Sequence, residues 1–200
     1  MNLMYTHDND THFLRRWCGR VCAIAVLTLL TACKNGETNS KYCLLPARFT
    51  MQNTMQAPAL HTACNNMGEF CTITASKDGK YFVCQGSAKE PSRVPIVAET
   101  SYSGFYLGLS GLIVGLPNIP EMGMDTPAVV CFDLACPNCY ERYYITKPLT
   151  IKESGYALCN SCNRTYNLND CGIVSDGETG RQLYRYLASY ISTTLVVNNR

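Results

Sequence analysis

The sequence predicts an all-β domain. From residue 80 onward, apolar and β-branched runs of about four to eight residues recur along the chain, which is typical of strands. Turn-forming residues separate these runs, for example Gly79, Gly111 and Gly177. Of the 200 residues, 46% are hydrophobic and only 16% are charged, so the chain can bury a sizeable core.

Each element of this domain is expected from a local pattern. Strands are expected at residues 80–84, 94–98, 104–109, 111–115, 128–132, 142–146, 155–158 and 164–168. Apolar spacing that fits a helix occurs at residues 50–67 and at residues 181–190. The second of these stretches runs into residues 191–197, which are strongly β-prone and favour a strand. Both a helix and a strand therefore remain open for residues 181–190.

The first 32 residues have the organisation of an export signal. A weakly basic start precedes an apolar run at residues 21–30, which is too short for a bilayer span of roughly 20 residues. The run ends in Leu30-Thr-Ala-Cys33, which resembles the lipobox of bacterial lipoproteins. This resemblance implies that Cys33 becomes the lipidated N-terminus, with the polar residues 34–41 as a tether.

These features predict the cellular location and the domain limits. We expect one domain at residues 42–200, anchored to a membrane of the bacterial cell envelope through the lipid on Cys33. The expected site is the outer membrane, with the domain facing the periplasm. An unidentified periplasmic or cell-envelope protein is the expected kind of partner.

Charge and histidine content exclude several classes of function. Seventeen basic residues against 15 acidic ones give a net charge of +2. The sequence contains no block of like charges. Nucleic acid and acidic membrane surfaces are therefore not among the leading candidates for a partner. His61 is the only histidine after residue 32, so a site that needs two imidazoles is excluded within one mature chain. No catalytic acid/base pair is recognisable, so we expect no catalytic residues and a non-enzymatic role.

The chemistry is concentrated in two C-x2-C pairs, Cys136-Pro-Asn-Cys139 and Cys159-Asn-Ser-Cys162. Residues 140–158 separate the pairs, a spacing inside the window of four-thiolate metal sites. Two such loops facing each other complete a tetrahedron with metal–sulfur distances of about 2.3 Å for zinc. Zinc is the expected metal because it is redox-inert and needs no cluster assembly before export. A single iron or an all-cysteine iron–sulfur cluster is the alternative.

The same region resembles a Rieske iron–sulfur domain over residues 104–199. Ala128-Val-Val-Cys-Phe-Asp-Leu-Ala-Cys-Pro-Asn-Cys is similar to the strand and first cluster loop of that family. Cys159-Asn-Ser-Cys-Asn-Arg-Thr-Tyr-Asn-Leu is similar to the second loop. The resemblance implies a β-sandwich or barrel in which two loops form a small metal-binding subdomain within residues 131–171. It also implies electron transfer through a 2Fe-2S cluster.

This chain departs from the Rieske ligand set, in which two cysteines hold one iron and two histidines hold the other. By position, Cys136 and Cys159 match the two Rieske cysteines. Asn138 and Cys162 stand where the family has histidine, and Cys139 could supply the fourth ligand. The departure implies an all-cysteine site, for which we expect zinc rather than the cluster of the family.

A metal-free, disulfide-stapled interaction module is a further alternative. The expected domain has an even number of cysteines, and disulfides form in exported proteins. Cys71 and Cys84 bracket a turn and could close a hairpin disulfide. The Rieske resemblance implies a second bridge, between Cys131 and Cys171, that would join the two loops.

Two redox functions are disfavoured at this stage. Thiol–disulfide exchange at Cys136 would need that residue at a helix N-terminus, whereas residues 140–146 are strand-like. Electron transfer would need a centre near the surface, whereas residues 42–100 are long enough to cover both cysteine loops. We therefore expect no reversible redox wave.

Overall fold

The structure is a computed structural model that describes residues 41–87, 90–97 and 104–199. The predicted signal peptide, Cys33 and most of the predicted tether lie outside these residues. No helix within them has the length and apolar character needed to cross a membrane. Strands outnumber helices throughout, which confirms the all-β prediction.

Thirteen strands and two α-helices follow one another along the described chain. They are β1 Ala47–Met51, α1 Pro58–Asn65, β2 Glu69–Ala75, β3 Tyr81–Gly86, β4 Ser92–Pro95, β5 Tyr106–Leu107, β6 Leu112–Leu116, β7 Val130–Asp133, α2 Pro137–Tyr143, β8 Thr150–Lys152, β9 Tyr156–Leu158, β10 Thr165–Asn167, β11 Ile173–Asp176, β12 Arg185–Ile191 and β13 Thr194–Asn198. Nine strands form one sheet in the order β4-β3-β2-β6-β7-β12-β13-β1-β5. A second sheet has the order β11-β10-β9-β8. All of the strand pairs are antiparallel.

The central strands of the large sheet are buried on both faces because successive side chains point to opposite sides. On β7, Cys131 lies in a first core that also contains Leu60 of α1. Its neighbour Phe132 lies in a second core, together with Ala157 of the small sheet. Strands β2 and β6 alternate in the same way, so each contributes side chains to both cores. The large sheet therefore separates the first core from the small sheet.

Aromatic contacts bring the two ends of the large sheet together around the first core. The rings of Phe49 on β1 and Phe82 on β3 meet edge to face, with centroids 5.0 Å apart. Phe82 also contacts Phe105, beside β5, at 4.9 Å. Because β3 and β5 lie near opposite ends of the strand order, the sheet must curl to allow these contacts.

A buried carboxylate links β7 to β12 and to the loop before β6. Asp133 is fully buried and accepts hydrogen bonds from the Tyr186 hydroxyl at 2.6 Å, the Leu109 amide at 2.7 Å and the Ala135 amide at 2.7 Å. Burial raises the pKa of Asp133, and these hydrogen bonds oppose the rise. Gly108 has a φ of +66°, and a Cβ at this position would overlap the Asp133 carboxylate. The loop can therefore approach Asp133 only because residue 108 is glycine.

The structure corrects two of the predicted elements and decides a third that was left open. The strand expected at residues 142–146 is wrong, because α2 occupies Pro137–Tyr143 and Tyr144 ends it in the left-handed conformation. The region 181–190 resolves as strand, since β12 pairs with both β7 and β13. The helix expected at residues 50–67 is only partly formed, because β1 extends to Met51 and α1 begins at Pro58. In the last two cases tertiary pairing and a proline override apolar spacing.

The Asp133 network gives a stability prediction. Tyr186→Phe removes a buried hydroxyl donor to the carboxylate, so we expect the free energy of unfolding to fall by about 1.5–3 kcal/mol. Tyr156→Phe, at an exposed tyrosine on β9, is the matched control and should change it by less than about 0.5 kcal/mol. Urea denaturation measures both. Equal stability of the two variants would contradict a structural role for this hydrogen bond.

Candidate metal centre

The small sheet is an insertion between two strands that pair directly. Cys131 and Phe132 of β7 lie opposite Tyr186 and Arg185 of β12. The chain between them, residues 134–184, leaves the large sheet and returns to the adjacent strand. This insertion contains α2, strands β8–β11 and both predicted cysteine pairs.

The first pair stands at the start of α2. Cys136 is the N-cap residue with an extended backbone, and Pro137 occupies the first helical position, where its fixed φ favours helix initiation. The Tyr140 amide donates to the Cys136 carbonyl at 3.1 Å. One turn of helix thus separates Cys136 from Cys139 and places both sulfurs on the same side.

The second pair lies in the turn between β9 and β10. The Cys159 amide donates to the Arg164 carbonyl at 2.9 Å, and the Asn163 amide donates to the Cys159 carbonyl at 2.8 Å. Asn163 has a φ of 56°, in the left-handed region that asparagine tolerates better than most residues. This turn brings Cys162 back toward Cys159.

The structure brings together the four predicted ligands, Cys136, Cys139, Cys159 and Cys162. Their sulfur atoms all lie within 4.8 Å of one another, so they could hold a metal ion. Two sulfur pairs, Cys136–Cys162 and Cys139–Cys159, are each separated by 3.7 Å. A tetrahedron with metal–sulfur bonds of about 2.3 Å has edges of about 3.8 Å. The distances between the two loops therefore match those of a four-coordinate ion.

A hydroxyl and an amide support Cys136. The Tyr166 oxygen lies 3.1 Å from the Cys136 sulfur, and Asn138 Nδ2 donates to the same oxygen at 2.9 Å. Because the hydroxyl oxygen accepts from Asn138, its own proton is available to the sulfur. Asn138 is fixed in turn by the Arg181 backbone, with which it makes hydrogen bonds of 2.8 and 2.9 Å. Such outer partners orient ligands and reduce the charge on a thiolate.

An arginine faces the most exposed of the four cysteines. The Arg164 side chain hydrogen-bonds Cys162 and forms a 2.6 Å ion pair with Glu178. Burial raises the pKa of the Cys162 thiol, but the Arg164 hydrogen bonds and those within the cysteine group outweigh it and lower that pKa to about 7. Burial raises the pKa of Cys136 and Cys139, which lie deeper. A cation would favour the thiolate form at all of these positions.

The cysteine turn is not covered by the N-terminal part of the described chain. Asn160, Ser161 and Asn163 are exposed, and Cys162 is half-buried. The expectation that residues 42–100 cover both loops is therefore wrong for the second loop. The prediction fails because the described part of residues 42–100 forms strands β1–β4 of the large sheet and helix α1. Of these residues, only Phe70 reaches the second core.

The expected disulfides are absent from the described residues, where all of the cysteines are free. Cys71 and Cys84 lie close enough for a hydrogen bond between their side chains. The Cys131–Cys171 bridge is wrong, because Cys131 lies in the first core whereas Cys171 lies in the turn before β11 of the small sheet. Strand alternation directs Cys131 away from the small sheet.

The objection to thiol–disulfide exchange also needs correction, since Cys136 does stand at a helix N-terminus. The thiol is fully buried, and this burial raises its pKa. A nucleophilic thiol needs the opposite environment, with access to solvent and a lowered pKa. The surroundings of Cys136 thus suit a ligand rather than an attacking group.

Sequence reasoning missed the supporting residues Asn138, Arg164 and Tyr166. A weak signal was present: Arg164 directly precedes β10 and Tyr166 lies two residues later, so both side chains point to the same side just after the second pair. Which sulfur each would reach depends on the packing of α2 against β10, and local spacing does not contain that information.

No family model matches this chain, and comparisons with curated proteins and with solved structures find no match. The function is therefore inferred from the chemistry of the four cysteines and from the sequence patterns.

The geometry predicts that each of the four cysteines is needed for metal binding. Cys139→Ser should lower metal affinity by more than about 100-fold, since loss of a mere outer partner costs about 10–100-fold. Metal content after dialysis against a competing chelator measures this. Cys171→Ser is the matched control, a half-buried cysteine of the same small sheet outside the group. Unchanged metal content in Cys139→Ser would eliminate the four-cysteine site.

Proposed function

We propose that this chain is a lipid-anchored protein of the bacterial cell envelope that holds one zinc ion through Cys136, Cys139, Cys159 and Cys162. Its role is structural or binding rather than enzymatic. The observation that carries the proposal is the grouping of the four sulfur atoms within 4.8 Å of one another. Tetrahedral four-thiolate coordination is characteristic of structural zinc sites.

The close grouping favours a single ion over an iron–sulfur cluster. A cluster with four cysteine ligands distributes them over two or more irons, so thiolates on different irons lie further apart than thiolates on one ion. Here the 3.7 Å contacts join Cys136 to Cys162 and Cys139 to Cys159, so they connect the two loops. Interleaved ligands of this kind suit one central ion.

A zinc ion at this position would stabilise the insertion. The four cysteines join the start of α2 to the β9–β10 turn, and short strands of three residues contribute little pairing of their own. Structural zinc supplies about 10–16 kcal/mol of apparent binding free energy in small domains, and a domain with its own core should depend on less. Four thiolates and one divalent cation together have a net negative charge, and the positive charge of Arg164 offsets part of it.

We further propose that the domain is a Rieske-like one with an altered ligand set. An insertion that carries both cysteine loops and departs from paired strands supports this relation. Cys162 in place of a histidine and Cys139 as an added ligand would convert a two-iron site into a site for one ion.

A second candidate is a one-electron carrier with a single iron at the same four sulfurs. The exposure of Asn160, Ser161 and Asn163 favours it, since an electron-transfer centre needs a short path to the surface. Hydrogen bonds to the sulfurs and a nearby cation, here Tyr166 and Arg164, are also features that tune iron–thiolate potentials.

Metal analysis separates the two candidates. We expect the purified protein to be colourless, to contain one zinc per chain and to show no reversible redox wave. Removal of zinc with a chelator should lower the melting temperature, because about 4 kcal/mol of metal-linked stability corresponds to roughly 8–16 °C in a domain of this size. A coloured, iron-containing protein with a reversible couple would replace the zinc proposal with the electron carrier.

The lipid anchor has its own test. Cys33→Ser removes the thiol that would carry the lipid, so we expect the variant to move from the membrane fraction to the soluble fraction. Cys43→Ser, a half-buried cysteine at the start of the domain, is the control and should remain with membranes. Fractionation followed by immunoblotting measures both. Membrane association of Cys33→Ser at the wild-type level would show that the lipobox interpretation is wrong.

A further inference from the structure

The point where the tether meets the domain is fixed by an ion cluster. Lys41 is the first described residue, and its ammonium lies 2.9 Å from Glu121. Glu121 also pairs with Arg185 at the start of β12. The amide of Cys43 donates to the Arg185 carbonyl at 2.8 Å, which holds the next residues of the chain in the same place.

The chain on either side of this cluster carries exposed apolar side chains. Those that lie within three residues of Lys41 or Glu121 and are largely exposed are Leu44 at 90%, Ile119 at 54% and Met124 at 48%, together with the fully exposed Met122. We call these four residues the tether face. Single exposed apolar residues are ordinary, but a group of them marks an interaction surface.

Met122 occupies a position where an apolar residue is unusual. The Met124 amide donates to the Glu121 carbonyl at 2.9 Å, so Glu121 to Met124 form a tight turn with Met122 at its tip. Gly123 has a φ of +86°, and a Cβ there would meet nothing within 4 Å, so the tip projects into open space. Turn residues are most often Gly, Pro, Asn, Asp or Ser, so a methionine at this position is uncommon. Met122 is the most exposed side chain of the tether face.

The tether limits the distance between the tether face and the proposed lipid on Cys33. Residues 34–41 are eight residues, which span at most about 26–29 Å when fully extended. A lipid on Cys33 would therefore keep the start of the domain, and the tether face around it, close to the bilayer.

We infer that the tether face rests on the lipid bilayer, with Met122 inserted at the level of the acyl chains; this inference rests on the proposed lipid at Cys33. The bilayer interior accepts Leu, Ile and Met side chains that water disfavours. Apolar insertion beside a lipid adds a second membrane contact, and stable anchoring takes more than one. It also fixes which side of the domain faces the membrane.

A tryptophan probe tests the inference on the full chain. The only tryptophan, Trp17, lies in the predicted signal peptide, so the mature Met122→Trp protein contains a single one. The matched control is Met55→Trp, at a methionine that is 62% exposed. The amide of the neighbouring Thr54 donates to the carbonyl of Thr193, which follows the C-terminal end of β12, whereas Arg185 begins that strand. The control therefore lies at the other end of β12 from the ion cluster. Both lipidated proteins are reconstituted into phosphatidylcholine vesicles with and without brominated acyl chains.

We expect Met122→Trp to show blue-shifted emission and at least about twofold stronger quenching by brominated lipid than Met55→Trp, as insertion into the acyl boundary requires. Flotation of the vesicles is measured first. If neither protein floats, the lipid anchor fails and the inference falls with it. If both float but brominated lipid does not quench Met122→Trp, the anchor stands and the inference is overturned. Protection from aqueous iodide without quenching by brominated lipid would also overturn it, because a protein would then cover the face.

Discussion

The pairing of β7 with β12 is the constraint on which the metal centre depends. It places the first and last residues of the insertion side by side, and the Asp133 amide adds a 2.8 Å hydrogen bond to the Tyr184 carbonyl. Asp133 then locks the same two strands through Tyr186. Because both ends of residues 134–184 are fixed, α2 and the β9–β10 turn have few ways to pack, and the one that buries Ala157 and Tyr166 brings the four sulfurs together.

Because the cysteines are buried, ionising their thiols is unfavourable unless a cation is bound. Cys136, Cys139 and Cys159 are almost fully buried, and burial raises the pKa of the first two thiols. Ionised sulfurs in a dry site would repel one another, and a bound cation would offset this repulsion. Hydrogen bonds from Arg164 help to lower the pKa of the Cys162 thiol. The second loop, with Cys162, is the part of the site that is open to solvent.

The sequence allowed prediction of features that depend on local spacing. The two C-x2-C pairs and strands such as β3 and β6 all follow from nearby residues. Features that depend on distant packing were not predictable. Pro137 could begin a helix or end a strand, and its neighbour Cys136 becomes an N-cap only in the context of the folded insertion. The Cys131–Cys171 bridge failed for a related reason, since spacing does not tell which face of β7 a cysteine occupies.

Two consecutive residues connect the tether to the metal centre. The Tyr184 hydroxyl donates to Glu141 of α2 at 3.0 Å, so the end of the insertion holds the helix that carries Cys139. The next residue, Arg185, pairs with Glu121, to which Lys41 is also bound. Tyr184 and Arg185 thus join the insertion that carries the four cysteines to the ion cluster at Lys41.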